Sequence, residues 1–376
     1  MKLLYVVNEA QFFLSHRLPL AIEARKRGYE VIVVSAPGTG EEGIFDEGFQ
    51  HLPVPLSRSG FSLKTELATY RGLRAIYRSV QPDLVHHVTI KPVLYGSLAA
   101  RSANVGSVVN AVPGMGYVFT RRGSRASVAR AFVNFLYRIA LNHSNMRVIF
   151  QNSEDLAGFV GHAIVRHDQT VLIRGAGVDL DVYANSPEPE GPPVFLLVSR
   201  MIKDKGVWDF AQAAGVIKKQ YPDWRFLLAG GLDEEYPAAL SEQQLRQMEQ
   251  DYGVEWLGHR EDIPELLKIC HVFCLPSYRE GLPKALIEAA AAGRALIASD
   301  IAGCREVVTQ EVTGLLVETR SPDAMKVAML RLGEDAALRQ RLAKAAYEKA
   351  VAVFGQDDVV KHTFRVYDEL LAGSNT

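Results

Sequence analysis

A chain of 376 residues is too long for one comfortable hydrophobic core, and its length sets an expectation of two domains. With 48% hydrophobic and 23% charged side chains it has the balance of a soluble globular protein, and no window offers the eighteen uninterrupted apolar residues of a membrane-spanning helix. Its net charge of −1 hides an asymmetry: residues 1–186 carry 20 basic and 14 acidic side chains, net +6, and the remainder carries 22 and 29, net −7.

Leu3–Val7 opens the chain as an apolar run of the kind a buried strand makes. It is too short for a signal peptide and is followed by Glu9. The next residues, Asn8 to Phe13, contain no glycine, which argues against the Gly-x-Gly-x-x-Gly turn of a dinucleotide site. His16 and Arg17 open a helix predicted over Leu18–Lys26, either as contacts for a phosphate or an acceptor hydroxyl or as an ordinary surface pair. Val31–Ser35 reads as a strand, Leu63–Ser79 as a basic helix and Leu84–His86 as a strand. His86 and His87 point to opposite strand faces, which favours packing or hydrogen bonding over a shared metal. Thr89 and Lys91, just beyond, are candidate acceptor contacts, Lys91 toward a lipid diphosphate.

Val108–Asn110, Val148–Gln151 and Val171–Ile173 continue the strands. Between the first two, residues 101–150 hold seven arginines and no Asp, Glu or Lys. Arg121, Arg122, Arg125 and Arg130 crowd the start of a helical stripe formed by Val128, Ala131, Phe132, Phe135, Leu136 and Ile139, most of which is expected in the core. A cationic surface with aromatics over residues 121–138 suits docking on an anionic membrane. It is not accompanied by any nucleic-acid motif, so no nucleic-acid partner is expected. Pro113 to Tyr117 reads as a glycine-bearing loop near a ligand.

Residues 184–193, polar and proline-rich, form the clearest linker. The alternation then restarts with strands at Val194–Val198, Phe226–Ala229, Glu255–Leu257, Val272–Leu275, Leu296–Ala298 and Leu315–Val317, and ends in a helix near Asp357–Leu371 and a loose tail. Strand and helix alternating in this way predict doubly wound parallel sheets. Cys270, Cys274 and Cys304 read as buried, reduced thiols, and a cytoplasmic location is expected.

Two clusters in this half carry chemistry. Arg200 and Lys205 lie on the loop leaving Val194–Val198, at the carboxyl end of a strand, where open α/β sheets bind ligands. A guanidinium and an ammonium there suit a diphosphate, although two solvated loop cations would look the same. Glu280 and Glu288 bracket Gly281-Leu282-Pro283. A helix is predicted from Leu282 or Pro283 to Gly293, with Glu280 beside its N-terminus and Glu288 inside it. Such a terminus can hold an anion or a sugar.

Together these clusters resemble the retaining glycosyltransferases of family 4, of GT-B fold. Arg200 and Lys205-Gly206 match the family's Arg-x4-Lys-Gly, and Glu280 and Glu288 its Glu-x7-Glu. Val254 to Gly258, Gly303 to Val308 and Thr313 to Val317 match intervening text, so the resemblance covers the C-terminal half almost continuously. It reaches the N-terminal half through Phe12 to Arg17, Lys91-Pro92 and Tyr95-Gly96, where bacterial enzymes extending undecaprenyl-diphosphate-linked glycans are similar.

The resemblance implies an α/β chain of two Rossmann-like doubly wound domains facing a central cleft. An acceptor domain would span residues 1–186 and a nucleotide-sugar domain 187–355, with a helix in 356–376 crossing back. It implies that Glu288 holds the ribose hydroxyls of a donor, taken as UDP-linked. Glu280 would contact the transferred sugar, helped by N–H groups from Gly281 to Pro283, and the backbone around Gly258 and His259 would read the base. Arg200 and Lys205 would stabilise the leaving diphosphate without a metal or other cofactor, no acid-rich metal motif being evident. Retention by same-face attack is implied, with the departing phosphate as base, onto a lipid-linked glycan at the membrane's inner face.

Two departures stand out: no Gly-Gly pair in the first loop, and Val112-Pro113 where relatives often place a histidine, so no catalytic His is assigned. A nucleotide-sugar epimerase of the same fold would act without an acceptor. A binding module that has lost catalysis would bind without turnover. The sequence names neither the sugar, nor the acceptor hydroxyl, nor the oligomeric state.

Overall fold

The structure is a computed structural model that describes residues 1–57, 62–112, 124–233 and 236–373, with the side chains of 124–130 and 132 outside the description. It divides into two units, one of Met1–Ala176 with Asp357–Thr376 and one of Gly177–Gln356.

The first unit is a seven-stranded parallel sheet in the order β3-β2-β1-β4-β5-β6-β7. Its strands are β1 Lys2–Glu9, β2 Glu30–Ala36, β3 Gln50–Pro53, β4 Leu84–Val88, β5 Ser107–Val112, β6 Met146–Phe150 and β7 Thr170–Leu172. The central strands are largely apolar because both faces are covered. Leu3, Tyr5 and Val7 enter one core, and Leu4 and Val6 the other. The second unit is a six-stranded parallel sheet in the order β10-β9-β8-β11-β12-β13. It is built from β8 Val194–Val198, β9 Arg225–Ala229, β10 Glu255–Trp256, β11 Val272–Leu275, β12 Ala295–Ser299 and β13 Leu315–Val317. In each sheet the order reverses once, between β1 and β4 and between β8 and β11, and each reversal opens a crevice at the carboxyl ends.

The terminal helix, Gln356–Gly373, begins at the boundary and packs on the first sheet, where the Tyr367 hydroxyl meets Tyr5 and His86. The division falls at Gly177 rather than after 186 because the following residues are tied into the second unit. The Val178 N–H donates to Phe354 O at 2.9 Å, and buried Arg294 donates to the backbone and hydroxyl of Ser186. Arg339 forks onto Glu188 with bonds of 2.8 and 2.6 Å, so the polar, proline-rich stretch is a strap rather than a loose linker.

Three further elements differ from expectation. A short helix, Ala10–His16, precedes Leu18–Lys26, with Arg17 at the break, so His16 closes one helix instead of opening the next. The edge strand β3 was not anticipated. In the helix Ser124–Ala140 the expected core stripe turns outward at Ala131, Phe135 and Ile139. Phe135 is 55% and Ile139 36% exposed, while Tyr137 and Ala140 are buried, Tyr137 packing edge-on against Phe159. Arg121, Arg122 and the loop from Pro113 to Tyr117 lie outside the described residues, as do the side chains of Arg125 and Arg130. Among the described residues no helix is long and apolar enough to cross a membrane. Cys270, Cys274 and Cys304 are free and buried, and burial pushes the Cys270 thiol up to about 12.

Candidate active site

The second unit gathers its chemistry at the β8/β11 reversal. The loop leaving β8 makes a single turn of 3-10 helix, Lys203–Lys205, and closes at Gly206 with φ 69°. There a Cβ would stand 2.1 Å from Pro276 O, in the loop leaving β11. Only glycine permits this approach, and the Tyr278 N–H seals it by donating to Asp204 O at 2.8 Å. The approach brings Lys205 Nζ to 2.5 Å from Glu280 Oε1, both side chains being largely covered.

Arg200 stands on the same loop, half exposed, with Nη1 2.5 Å from Asp233 Oδ2 and its guanidinium 5.3 Å from the Tyr236 ring centre. Each expected phosphate-binding cation therefore has a carboxylate partner, and Asp233 was missed. It follows β9 in a stretch whose sequence carries no recognisable spacing, and only the adjacency of β9 to β8 reveals it.

The helix after the Glu280 loop spans Lys284–Ala291, with Pro283 as its N-cap rather than its first residue. Gly293 ends it at φ 73°, as expected. Glu288 lies one turn in, buried, 3.5 Å from Lys284 Nζ and hydrogen-bonded to the Tyr183 phenol, which burial and the Glu288 charge push up. Tyr183, just before the strap, is a second residue missed. Gly281 and Glu280 lie against the start of the helix Ala302–Val307. A Cβ on Gly303 would fall 2.4 Å from Gly281 O and 2.8 Å from Glu280 O, so that glycine sets the height of the Glu280 loop. Leu282 packs on the apolar core beneath, Pro283 is buried, Gly258 O accepts the Gly230 N–H at 2.8 Å, and His259 is exposed beyond it. Loop cations, a helix N-terminus and a buried carboxylate thus share one end of one sheet, an arrangement able to bind a diphosphate and a polyhydroxylated group.

In the first unit the candidates are more scattered. His16 stacks on Phe12 at 4.3 Å and bonds Ser15 through Nδ1. Arg17 is buried. Thr89, at the end of β4, holds φ 78°, a left-handed conformation that β-branched residues avoid, and its buried Oγ1 bonds nothing among the described residues. Lys91 donates to Glu66 at 2.6 Å and to Ser57 at 2.5 Å. His86 and His87 are both buried in hydrogen-bonded positions. Among the described residues no three His, Cys, Asp or Glu side chains converge as metal ligands would.

Comparison with known proteins agrees with this architecture. The family model described as Glycosyl transferases group 1 matches residues 182–349, and Glycosyl transferase 4-like matches residues 2–152. The chain is 28% identical to the N,N'-diacetylbacillosaminyl-diphospho-undecaprenol alpha-1,3-N-acetylgalactosaminyltransferase of Campylobacter jejuni, over 96% of this chain and 98% of that protein. It is 28% identical to the UDP-Gal:alpha-D-GlcNAc-diphosphoundecaprenol alpha-1,3-galactosyltransferase of Escherichia coli, over 86% and 84%. Among solved structures, HepE of Anabaena in complex with UDP and glucose superposes with a TM-score of 0.76 at 20% identity, covering 98% of this chain and all of that one. Sucrose-phosphate synthase of Thermosynechococcus elongatus superposes with a TM-score of 0.80 at 19% identity, over 99% and 100%.

Proposed function

We propose, from the premise that this chain belongs to the glycosyltransferases of GT-B fold, that it moves a hexose or N-acetylhexosamine from UDP to a polyprenyl-diphosphate-linked glycan with retention of configuration. The observation that carries the donor half is the convergence of Arg200, Lys205, Glu280 and Glu288 on the carboxyl end of one sheet, at its reversal. As the glycosidic bond to the diphosphate breaks, negative charge grows on the leaving oxygens. Arg200, Lys205 and the N–H groups opening the helix Lys284–Ala291 offset that charge, and no metal is required by this reading. Glu288 accepts the ribose hydroxyls, Glu280 meets the sugar, and Gly258 and His259 offer backbone to the base. The departing phosphate takes the proton of the attacking hydroxyl on the same face, so no carboxylate nucleophile is invoked.

The acceptor half rests on the two relatives named for diphospho-undecaprenol substrates. His16, Thr89 and Lys91 are its proposed contacts, Arg17 being buried. Residues 121–138, where Phe135 is exposed, are proposed to rest on the inner face of the membrane. The test is titration calorimetry of UDP without added metal on the wild type and Glu288→Ala. Losing a charged hydrogen-bond acceptor costs roughly 1.5–3 kcal/mol, so binding should weaken about ten-fold or more. Equal affinity in the two proteins would remove UDP from this site. An inverted anomeric centre in the product, read by proton NMR, would remove the same-face mechanism.

A further inference from the structure

Glu288 is buried in the helix Lys284–Ala291, where the proposed donor chemistry has it accept the ribose hydroxyls. A carboxylate receives a diol well only if its oxygens are held in one direction. Its helical neighbour pulls elsewhere: Lys284 Nζ stands 3.5 Å from Oε1, one turn away, beyond the roughly 2.7–2.9 Å of a fully formed charge-assisted bond. The Tyr183 phenol is hydrogen-bonded to the same carboxylate. Burial, and then the Glu288 charge, push the phenol up, so it keeps its proton and donates, an ionised carboxylate being acceptor only.

The backbone that presents Tyr183 is pinned on both sides within the second unit. The Val178 N–H donates to Phe354 O at 2.9 Å, and the Gln356 N–H returns to Val178 O at 3.0 Å. Asp179 Oδ1 accepts the N–H groups of Asp181 and Val182 at 3.0 and 3.1 Å, and the Tyr183 N–H closes the turn on Asp179 O at 3.0 Å. Beyond it Asn185 Oδ1 lies against Gly293, where no Cβ would fit, and Arg294 Nη2 donates to Ser186 Oγ at 2.9 Å. The ring packs, beside Leu180, on the apolar core that holds Leu286 and Ile287 of the helix. A phenylalanine would fill that place equally well, so the hydroxyl is the part of this residue that packing does not explain.

We propose that Tyr183 is a positioning residue of the donor site: its hydroxyl fixes the Glu288 carboxylate as the acceptor of a vicinal diol, and so sets a preference for ribonucleoside over deoxyribonucleoside diphosphates. A carboxylate has about four lone-pair sites. The phenol takes one and Lys284 neighbours another, which leaves two for the 2′ and 3′ hydroxyls. Without the phenol the carboxylate is free to turn onto Lys284 and away from the diol. The inference rests on the reading that Glu288 meets the ribose, and adds the residue that keeps this carboxylate from closing on its helical neighbour.

The test is calorimetric titration of the full chain with UDP and with 2′,3′-dideoxy-UDP. The ratio of the two affinities isolates the diol, because contacts to the base and the diphosphate cancel. The wild type should prefer UDP about ten-fold or more, the effect of a hydrogen bond to a charged group. Tyr183→Phe keeps the ring on the core, so its unfolding midpoint should stay near that of the wild type. Its ratio should fall by about three-fold or more, the effect of one ordinary hydrogen bond. A ratio that is unchanged or larger in Tyr183→Phe, beside a wild type that discriminates, would overturn this inference and leave the ribose reading standing. A wild type that binds both ligands alike would remove the ribose reading, and this inference with it. A purely structural role for Tyr183 would lower the midpoint and both affinities together while the ratio stayed in place, and that result would overturn the inference equally.

Discussion

Lys205 Nζ and Glu280 Oε1 are 2.5 Å apart although 75 residues separate them, and they span the two loops on either side of the β8/β11 reversal. A diphosphate arriving at Lys205 therefore meets a carboxylate already in place. At an effective dielectric constant of about 20, a like charge at about 6 Å costs roughly 3 kcal/mol. Glu280→Gln removes that repulsion and should bind UDP about ten-fold or more tightly by calorimetry. The same change should lower kcat by about 10²–10³, the usual loss when a positioned polar group is removed from a transition state. Weaker UDP binding in this variant would mean that Glu280 holds the nucleotide rather than the sugar.

The height of the Glu280 loop depends on Gly303. A methyl group there would press on Gly281 O at 2.4 Å and Glu280 O at 2.8 Å. Both are backbone atoms and yield only if the loop shifts. Overpacking of this kind costs about 1–3 kcal/mol. Gly303→Ala should lower the unfolding midpoint and reduce kcat/KM. Gly161→Ala, where a Cβ meets nothing within 4 Å, is the control and should leave both nearly unchanged. Full activity with a lowered midpoint would separate the loop's position from catalysis.

Much of this was legible because parallel strands covered on both faces are uniformly apolar. Val194–Val198 and Val272–Leu275 stand out as runs, and the motif residues follow them in fixed order. Gln50–Pro53 was not legible: at a sheet edge it needs few apolar residues, and it carries a proline. The helix Ser124–Ala140 shows a different limit. Its period was readable, yet periodicity locates an apolar stripe without saying which face finds a partner, and Tyr137 rather than Phe135 found Phe159. Asp233 and Tyr183 were invisible for a common reason. Each matters through a neighbour distant in sequence, and no local spacing encodes that.

The strap offers a stability test within the second unit. Burial works to raise the Glu188 carboxyl, but the bidentate Arg339 guanidinium outweighs it and brings the carboxyl below its usual range. Arg339 is itself buried and also donates to Leu332 O at 2.6 Å. Glu188→Ala leaves that cation without its partner, at a cost of about 2–4 kcal/mol, slightly discounted because Glu188 is partly exposed. With about 2–4 °C per kcal/mol for a unit of this size, calorimetry should show the second unit's midpoint falling by at least several degrees. Glu188→Gln keeps an acceptor and should lose less. No change in Glu188→Ala would show that the strap is held by Arg294 and Ser186 alone.

His87 makes the first unit sensitive to mild acid. Asn110 Oδ1 accepts from the Ser97 hydroxyl at 2.8 Å while its Nδ2 faces Met146 Sδ, so the same oxygen accepts from His87 Nδ1–H at 2.9 Å. His87 Nε2 then accepts the Tyr77 hydroxyl at 2.8 Å, and the ring is neutral. Burial lowers its pKa to about 4, from an ordinary value of 6.5. Above pH 6.5 neither the folded nor the unfolded state carries the proton, and the group contributes nothing. As pH falls from about 6.5 to about 4 the unfolded chain takes up a proton that the folded chain refuses, and stability is lost. The loss levels off below about 4 at roughly 3 kcal/mol. Burial lowers His86 as well, so it acts in the same direction. Urea unfolding followed at pH 7, 6, 5 and 4.5 should therefore show a falling free energy, and His87→Gln should flatten the curve by up to about 1.4 kcal/mol per pH unit in that window. An unchanged slope in the variant would mean that His87 is already protonated in the folded protein, and the Tyr77 hydroxyl would then have to be reassigned.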